Sequence, residues 1–204
     1  PLVRKIAEKE RVSEEFVRNG IASGRIVAPC NPIHNPEPAG IGEGMSIKVN
    51  VNLGTSRDMV CMKTELEKLD VALKYGADAV MDLSTGGDID AIRREIISRS
   101  PVMVGTVPIY QIGLTAARKN AVVEMTEDDM FAGIEKQAKD GVDFMTVHCG
   151  ITRQTVDWLS SSGRLMDVVS RGGSFLTAWI LHNEEENPLY RNFDYLLELC
   201  RKYE

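Results

Sequence analysis

The sequence predicts an α/β fold of the (β/α)8 TIM-barrel type, with this chain supplying about the first five βα units. Three observations predict it. Apolar strand-like segments alternate with helix-like segments, the pattern of a parallel sheet covered by helices. A polar residue closes each apolar segment, and in a barrel such strand ends converge on one mouth where chemistry occurs. The segment NLGTSRD (52–58) has one glycine and no GxGxxG, which disfavours a dinucleotide-binding sheet with its glycine-rich first turn.

The elements follow in order. Residues 1–45 are expected to hold an N-terminal helix and a Pro/Gly loop, and residues 46–204 the N-terminal part of the barrel. SEEFVRNGIA (13–22) reads as a helix capped by Ser13, with acids in the first turn where the macrodipole favours them. Residues 28–45 are rich in proline and glycine and read as a long loop. SIKVNVNLG (46–54) alternates at period two, which puts Ile47, Val49, Val51 and Leu53 on one face and Asn50 and Asn52 on the other. Residues 57–75 show helical spacing that stops at Gly76. AVMDLST (79–85) reads as a strand and DIDAIRREIIS (88–98) as a helix. PVMVGTVPIY (101–110) reads as a strand leading into a loop. Residues 126–141 read as a helix with Thr126 as cap and Asp129 as capping-box acid. DFMTVHCG (143–150) is the fourth strand, RQTVDWLSS (153–161) a helix, and LMDVVSRGG (165–173) a fifth short strand ending in a glycine turn. Residues 174–183 fit no single pattern. Residues 188–203 close the chain as a helix with Leu189, Phe193, Leu196 and Cys200 along one stripe.

A weak internal repeat runs through this pattern. KYGADAVMDLST and KDGVDFMTVHCG share a helix end, a glycine, an aspartate (Asp78, Asp143), an apolar strand and a polar tip. Five strands leave an eight-stranded barrel open, with costly unpaired edges. Completion by a missing C-terminal half, or by a second copy in a homodimer, is therefore expected.

Composition narrows the function. Thirty acids against 24 bases leave a net charge of −6, which argues against a general nucleic-acid or anionic-membrane binder. No apolar run is long enough to span a bilayer, and PLVRKIAEKERVSEEF lacks the apolar core of a signal peptide. Cys30, Cys61, Cys149 and Cys200 form no CxxC pair, so a cytoplasmic location with reduced thiols is expected and no metal site is expected in this chain.

The strand-tip segments, read in order, resemble the phosphomethylpyrimidine synthase family of thiamine biosynthesis. They are KVNVNLGTS (48–56), VMDLSTGG (80–87), SPVMVGTVPIYQ (100–111), DFMTVHCG (143–150) and VSRGGS (169–174), preceded by the proline–asparagine loop APCNPIHN (28–35). The resemblance implies a radical S-adenosylmethionine enzyme that rearranges 5-aminoimidazole ribonucleotide into hydroxymethylpyrimidine phosphate. A [4Fe–4S] cluster there reduces S-adenosylmethionine, and the resulting 5′-deoxyadenosyl radical abstracts hydrogen from the substrate. It also implies a divalent metal, zinc or iron. The family's metal-binding histidine segment and three-cysteine cluster motif do not occur in these 204 residues, so the chain alone is expected to be inactive. The resemblance further implies substrate-binding roles for Asn52, Met81, Tyr110, His148, Ser170, Arg171 and Gly172; no catalytic residue is assigned. Val51 and Cys149 depart from the family pattern, which keeps open a paralogue, 5-hydroxybenzimidazole synthase, acting on the same substrate. A short non-catalytic metabolite-binding paralogue is a third reading. An aldolase-like barrel would need a strand-tip lysine or paired carboxylates, and only Asp82 stands at such a tip.

Each residue also has a plainer reading. Asn52 offers an amide acceptor and two donors to a ring edge, or satisfies a loop. Met81 reads as core on pattern alone, and its soft thioether also suits a flat ring. Tyr110 binds phosphate or ribose, or shields the rim. His148 holds substrate or moves a proton, or is a satisfied structural histidine. Ser170, Arg171 and Gly172 suit a phosphate through a bidentate guanidinium and open backbone N–H groups, or form an ordinary glycine turn. His148 and Cys149 alternate faces on a strand, which excludes a Cys–His pair. His34 is fixed by nothing in the pattern, and Glu184–Glu186 reads as solvated surface.

Overall fold

Capping side chains set several helix starts in a computed structural model that describes residues 1–203; Glu204, the last residue of the expected barrel segment, lies outside the described residues. Two units are present, one made of Pro1–Thr106 with Asp140–Phe144, the other of Val107–Lys139 with the residues from Met145 onward.

The first unit opens with two helices, α1 (Leu2–Glu10) and α2 (Glu14–Ala22). The second is the expected one, and Ser13 Oγ accepts the Phe16 N–H at 3.1 Å. No cap side chain marks α1; it is held by packing of Ile6 and Ala7 on Val17, which local pattern does not reveal. Two short strands, β1 (Ile26–Val27) and β2 (Ile41–Gly42), pair antiparallel, so the Pro/Gly segment is tied at its ends and is not loop throughout.

The main sheet holds β3 (Asn50–Leu53), β4 (Ala79–Asp82), β5 (Met103–Thr106) and β6 (Phe144–Met145), in that order. The β3/β4 and β4/β5 pairs are parallel. They are joined through α3 (Met62–Lys74) and α4 (Ile89–Arg99). As predicted, α3 stops before Gly76, whose φ of 81° takes the left-handed conformation glycine allows; α4 is capped by Asp88, which accepts the Ala91 N–H. The architecture is thus α/β with a parallel sheet and helices. Four strands, not five, make this sheet among the described residues, and it is open.

The expected first strand is shorter than its pattern. Ile47 and Val49 are 93% and 55% exposed, while Leu53 is buried. The alternation is real, but the ladder with β4 begins only at Asn50, and the apolar side chains of Ile47 and Val49 ahead of it stay exposed.

In the second unit, α5 (Pro108–Lys119) replaces the expected loop after the third strand. Pro108 opens this helix at its first position, where the missing N–H costs nothing. A short 3-10 turn (Val122–Glu124) leads to α6 (Glu127–Lys139), where Thr126 and Asp129 exchange hydrogen bonds of 3.0 and 3.1 Å as a capping box. Then follow α7 (Arg153–Ser161), α8 (Arg171–Asn183), α9 (Pro188–Arg191) and α10 (Phe193–Lys202). The expected fifth strand, residues 165–173, is not a strand. Ser170 Oγ accepts the Gly173 N–H, which caps a helix that runs through the unassigned residues 174–183. The expected closing helix breaks at Asn192. Leu189 and Leu196 of its expected stripe are buried, joined by Leu199, while Phe193 and Cys200 are exposed. Close approaches of Ile112 to Gly133 and of Phe175 to Gly113 pack α5 against α6 and α8.

The internal repeat has a structural meaning. The Asp78 carboxylate accepts the Val49 N–H at 2.9 Å, and the Asp78 N–H donates to the Val49 carbonyl at 2.9 Å. Asp143 repeats this on Val104, at 2.7 and 2.9 Å. Each aspartate locks the start of its strand to the preceding one. Asp143 does more, because it also accepts the Asn31 N–H at 2.8 Å and meets His34 Nδ1 at 2.6 Å. The other ring nitrogen of His34 faces the Ser100 carbonyl at 2.8 Å. Both nitrogens face acceptors, so the imidazole is held protonated. Burial opposes the charge, but the Asp143 and Ser100 hydrogen bonds outweigh it and raise the pKa above the ordinary 6.5.

The sign of the linkage follows. The stability from the His34–Asp143 pair is present in full below about pH 6.5 and is lost as pH rises through the elevated folded-state value. Urea unfolding at pH 6 and pH 9 measures this, and His34→Gln is expected to flatten the difference. Asp143→Ala, which strips three donors of their acceptor, is expected to cost about 3–5 kcal/mol.

Candidate functional site

The residues expected at strand ends fall into two sets, one in each unit. In the first unit, Asn52 and Met81 are register partners on β3 and β4, with Gly105 next on β5. Partners in a parallel ladder share a face, so Asn52 and Met81 lie side by side. Asn52 is exposed and Met81 half-buried, which places Met81 at the surface of that face and not deep in the core. Asn50 donates its side-chain amide to Asn52 Oδ1 at 3.2 Å. With Oδ1 engaged, Asn52 presents its amide N–H groups to a partner. The Phe144 ring lies against Gly105, where a Cβ would come within 2.2 Å of it.

In the second unit, Tyr110, His148, Ser170, Arg171 and Gly172 come together, but not on strand tips. Tyr110 stands in the first turn of α5, because Pro108 starts a helix. His148 lies beyond β6, which ends at Met145. Ser170 is the cap of α8, and Arg171 and Gly172 begin it. The Arg171 guanidinium lies 5.0 Å from the centre of the Tyr110 ring, a cation–π contact that restrains its direction. His148 Nε2 lies 3.2 Å from Ser170 Oγ. A Cβ on Gly172 would fall 2.3 Å from His148 Cε1, so only glycine admits the ring there. Asn187 Nδ2 donates to the His148 carbonyl at 3.0 Å and holds its backbone.

This set has the chemistry of an anion site. The first backbone N–H groups of a helix lack intrahelical partners and carry its positive end. Arg171 adds a permanent charge at the same place. Burial lowers the His148 pKa below 6.5, so the ring is neutral at pH 7, and its Nδ1 is buried without a partner in the structure. A neutral imidazole can donate from one nitrogen and accept at the other, and here Nε2 faces the Ser170 hydroxyl.

Sequence patterns missed the setting of these residues more than their identity. Pro108 one residue into a helix and Ser170 before Arg-Gly-Gly are both helix-start signals, and both lie inside segments that read as strand ends. Asn187, which fixes His148 through backbone, directly follows the acidic run Glu184–Glu186 that reads as solvated surface. His34 is no part of the set; it is a structural residue of the first unit.

The cysteines do not fit an iron–sulfur cluster. None of the four forms a disulfide, and no group of three or more metal-ligating side chains occurs among the described residues. No helix among them is long and apolar enough to cross a membrane.

Curated relatives share most of this chain. A phosphomethylpyrimidine synthase of Moorella thermoacetica is 57% identical over 204 residues, covering 99% of the chain and 47% of the relative. That of Thermoanaerobacter sp. is 55% identical over the same shares, and that of Methanocaldococcus jannaschii 54% identical over 98% of the chain and 47% of its own length. The chain spans about half the length of the curated relatives it matches. The family model described as the radical SAM ThiC family matches residues 1–204, so the chain belongs to the radical SAM ThiC family.

Proposed function

We propose that this chain carries part of the substrate pocket of a phosphomethylpyrimidine synthase, an enzyme that rearranges 5-aminoimidazole ribonucleotide into 4-amino-5-hydroxymethyl-2-methylpyrimidine phosphate for thiamine. The observation that carries this reading is the α8 N-terminus, where Arg171 stacks on Tyr110 and Ser170 and His148 meet over Gly172. A ribonucleotide phosphate needs such a site. In this reading Arg171 and the N–H groups of the first turn hold the phosphate, and Tyr110 keeps the guanidinium aimed. His148 and Ser170 bind polar groups of the substrate, and Asn52 and Met81 recognise the aminoimidazole by hydrogen bond and by packing. The names of the relatives support thiamine-pathway chemistry over benzimidazole formation.

We read the sheet as the first strands of a (β/α)8 barrel. Its strand order follows chain order without a switch point, which supports winding in one direction. The exposed edge of β3 and the groove lined by Val49, Val51, Val71 and Tyr75 suit a further strand and helix, from the C-terminal half of the protein or from a second copy. S-adenosylmethionine and a [4Fe–4S] cluster are the cofactors that membership of the family supports, and a divalent metal is part of the same proposal. Because the described residues do not fit the cluster or the metal, no step is assigned to them on this chain. A cytoplasmic setting, where thiols stay reduced, is part of the same proposal and is supported by four cysteines outside any disulfide.

Titration of 5-aminoimidazole ribonucleotide into the gene's full-length product tests the phosphate role. Arg171→Ala is expected to weaken binding by about 10- to 100-fold, the worth of a charged hydrogen bond. The same variant is expected to bind the unphosphorylated nucleoside as wild type does; equal losses for both ligands would remove the phosphate assignment. Gly172→Ala is a second probe, because alanine favours a helix by about 1 kcal/mol while displacing His148. It is expected to lower turnover at least about tenfold in protein that still unfolds in one cooperative thermal transition. Full activity would show that the ring position is immaterial.

A further inference from the structure

We infer that Glu65 is a positioning residue for Asn52, an inference that rests on Asn52 belonging to the substrate pocket. Glu65 lies in the first turn of α3 and is fully buried, at 0% exposure. Its Oε2 accepts the Gly54 N–H at 2.7 Å, and its Oε1 accepts Lys68 Nζ at 2.7 Å. Gly54 follows Asn52 by two residues, at the point where the chain leaves β3.

The other side of this exit is fixed as well. Gly54 has a φ of 140°, and a Cβ there would meet the Leu83 and Ser84 backbone at 2.6 Å. The Leu83 N–H donates to the Leu53 carbonyl at 2.9 Å, and the Thr55 N–H donates to Ser84 Oγ at 3.1 Å. Thr55 Oγ1 then donates to the Gly86 carbonyl at 2.7 Å. Residues 53–55 are therefore clamped between the exit of β4 and one carboxylate oxygen of α3. The orientation of Asn52 follows from that clamp and from the Asn50 amide.

Chemistry argues against a packing role. Burying a carboxylate costs several kcal/mol before its partners are counted, and apolar side chains of similar volume often replace buried ion pairs without loss. A carboxylate survives here because Gly54, with its positive φ, turns its N–H toward α3 and away from the sheet ladder. An oxygen acceptor at that point holds the turn.

The test is a double-mutant cycle in the full-length product, read as the Kd for 5-aminoimidazole ribonucleotide by calorimetry. Glu65→Gln keeps an oxygen for the Gly54 N–H and is expected to bind within about threefold of wild type. Glu65→Leu removes it and is expected to weaken binding at least about tenfold, as Asn52→Ala does. In the Asn52→Ala background, Glu65→Leu is expected to add less than about twofold. Fully additive losses would mean that Glu65 acts on the fold and not through Asn52, which overturns the inference. If Asn52→Ala alone leaves Kd unchanged, the pocket assignment of Asn52 fails first, and the positioning role goes with it. Should the leucine variant not fold, Glu65→Asp retains the charge and Lys68 but withdraws the oxygen from Gly54. It is expected to lose at least about fivefold in affinity, again only when Asn52 is present; wild-type affinity would overturn the inference.

Discussion

The first unit depends on one carboxylate. Asp143 lies far along the chain from the residues it holds, yet its two oxygens take the Asn31 N–H, the Val104 N–H and the His34 ring. The Val104 contact locks the start of β5 to the approach of β6, and the other two fasten the proline-rich segment. A short polar group with fully satisfied lone pairs costs little to bury and gives direction that apolar packing cannot. Asp78 does the first of these jobs for β3 and β4. The register that sets Asn52 beside Met81 follows from such clamps as much as from the ladder itself.

Buried charge serves a related purpose elsewhere in the unit. Arg93 is 1% exposed and bonds Asp90 and Asp140. Asp82 is buried at the end of β4, where burial raises its pKa against the hydrogen bonds of Ser84 and the nearby Arg93. Polar groups therefore gather at the strand ends on the face toward the helices. On the opposite face Asn52 and Met81 remain accessible.

The second unit builds its cluster by another route. Helices α5 and α8 each begin at the cluster, and their first turns supply Tyr110, Arg171 and Gly172. Helix starts present unpaired N–H groups without any side-chain cost, so an anion site needs few residues beyond a cap and one cation. The closeness of His148 to Gly172 sets the limit on what stands there.

Alternation of apolar strands with helices was enough, by itself, to determine an α/β protein with a parallel sheet. Local chemistry also determined the starts at Ser13, Asp88 and Thr126 and the stop at Gly76, because caps and left-handed glycines act within one turn of chain. The ordered polar segments identified the family and the residues worth naming. Tertiary structure alone decided the rest. Whether Ile47 and Val49 are covered depends on what packs on their face, not on their own alternation. Pro108 and Ser170 start helices in segments that also satisfy a strand pattern, and packing against Gly113 and Gly133 decides between the two. The roles of Asp143, His34 and Glu65 rest on partners 11 to 112 residues away in sequence, and no periodicity records contacts at that range.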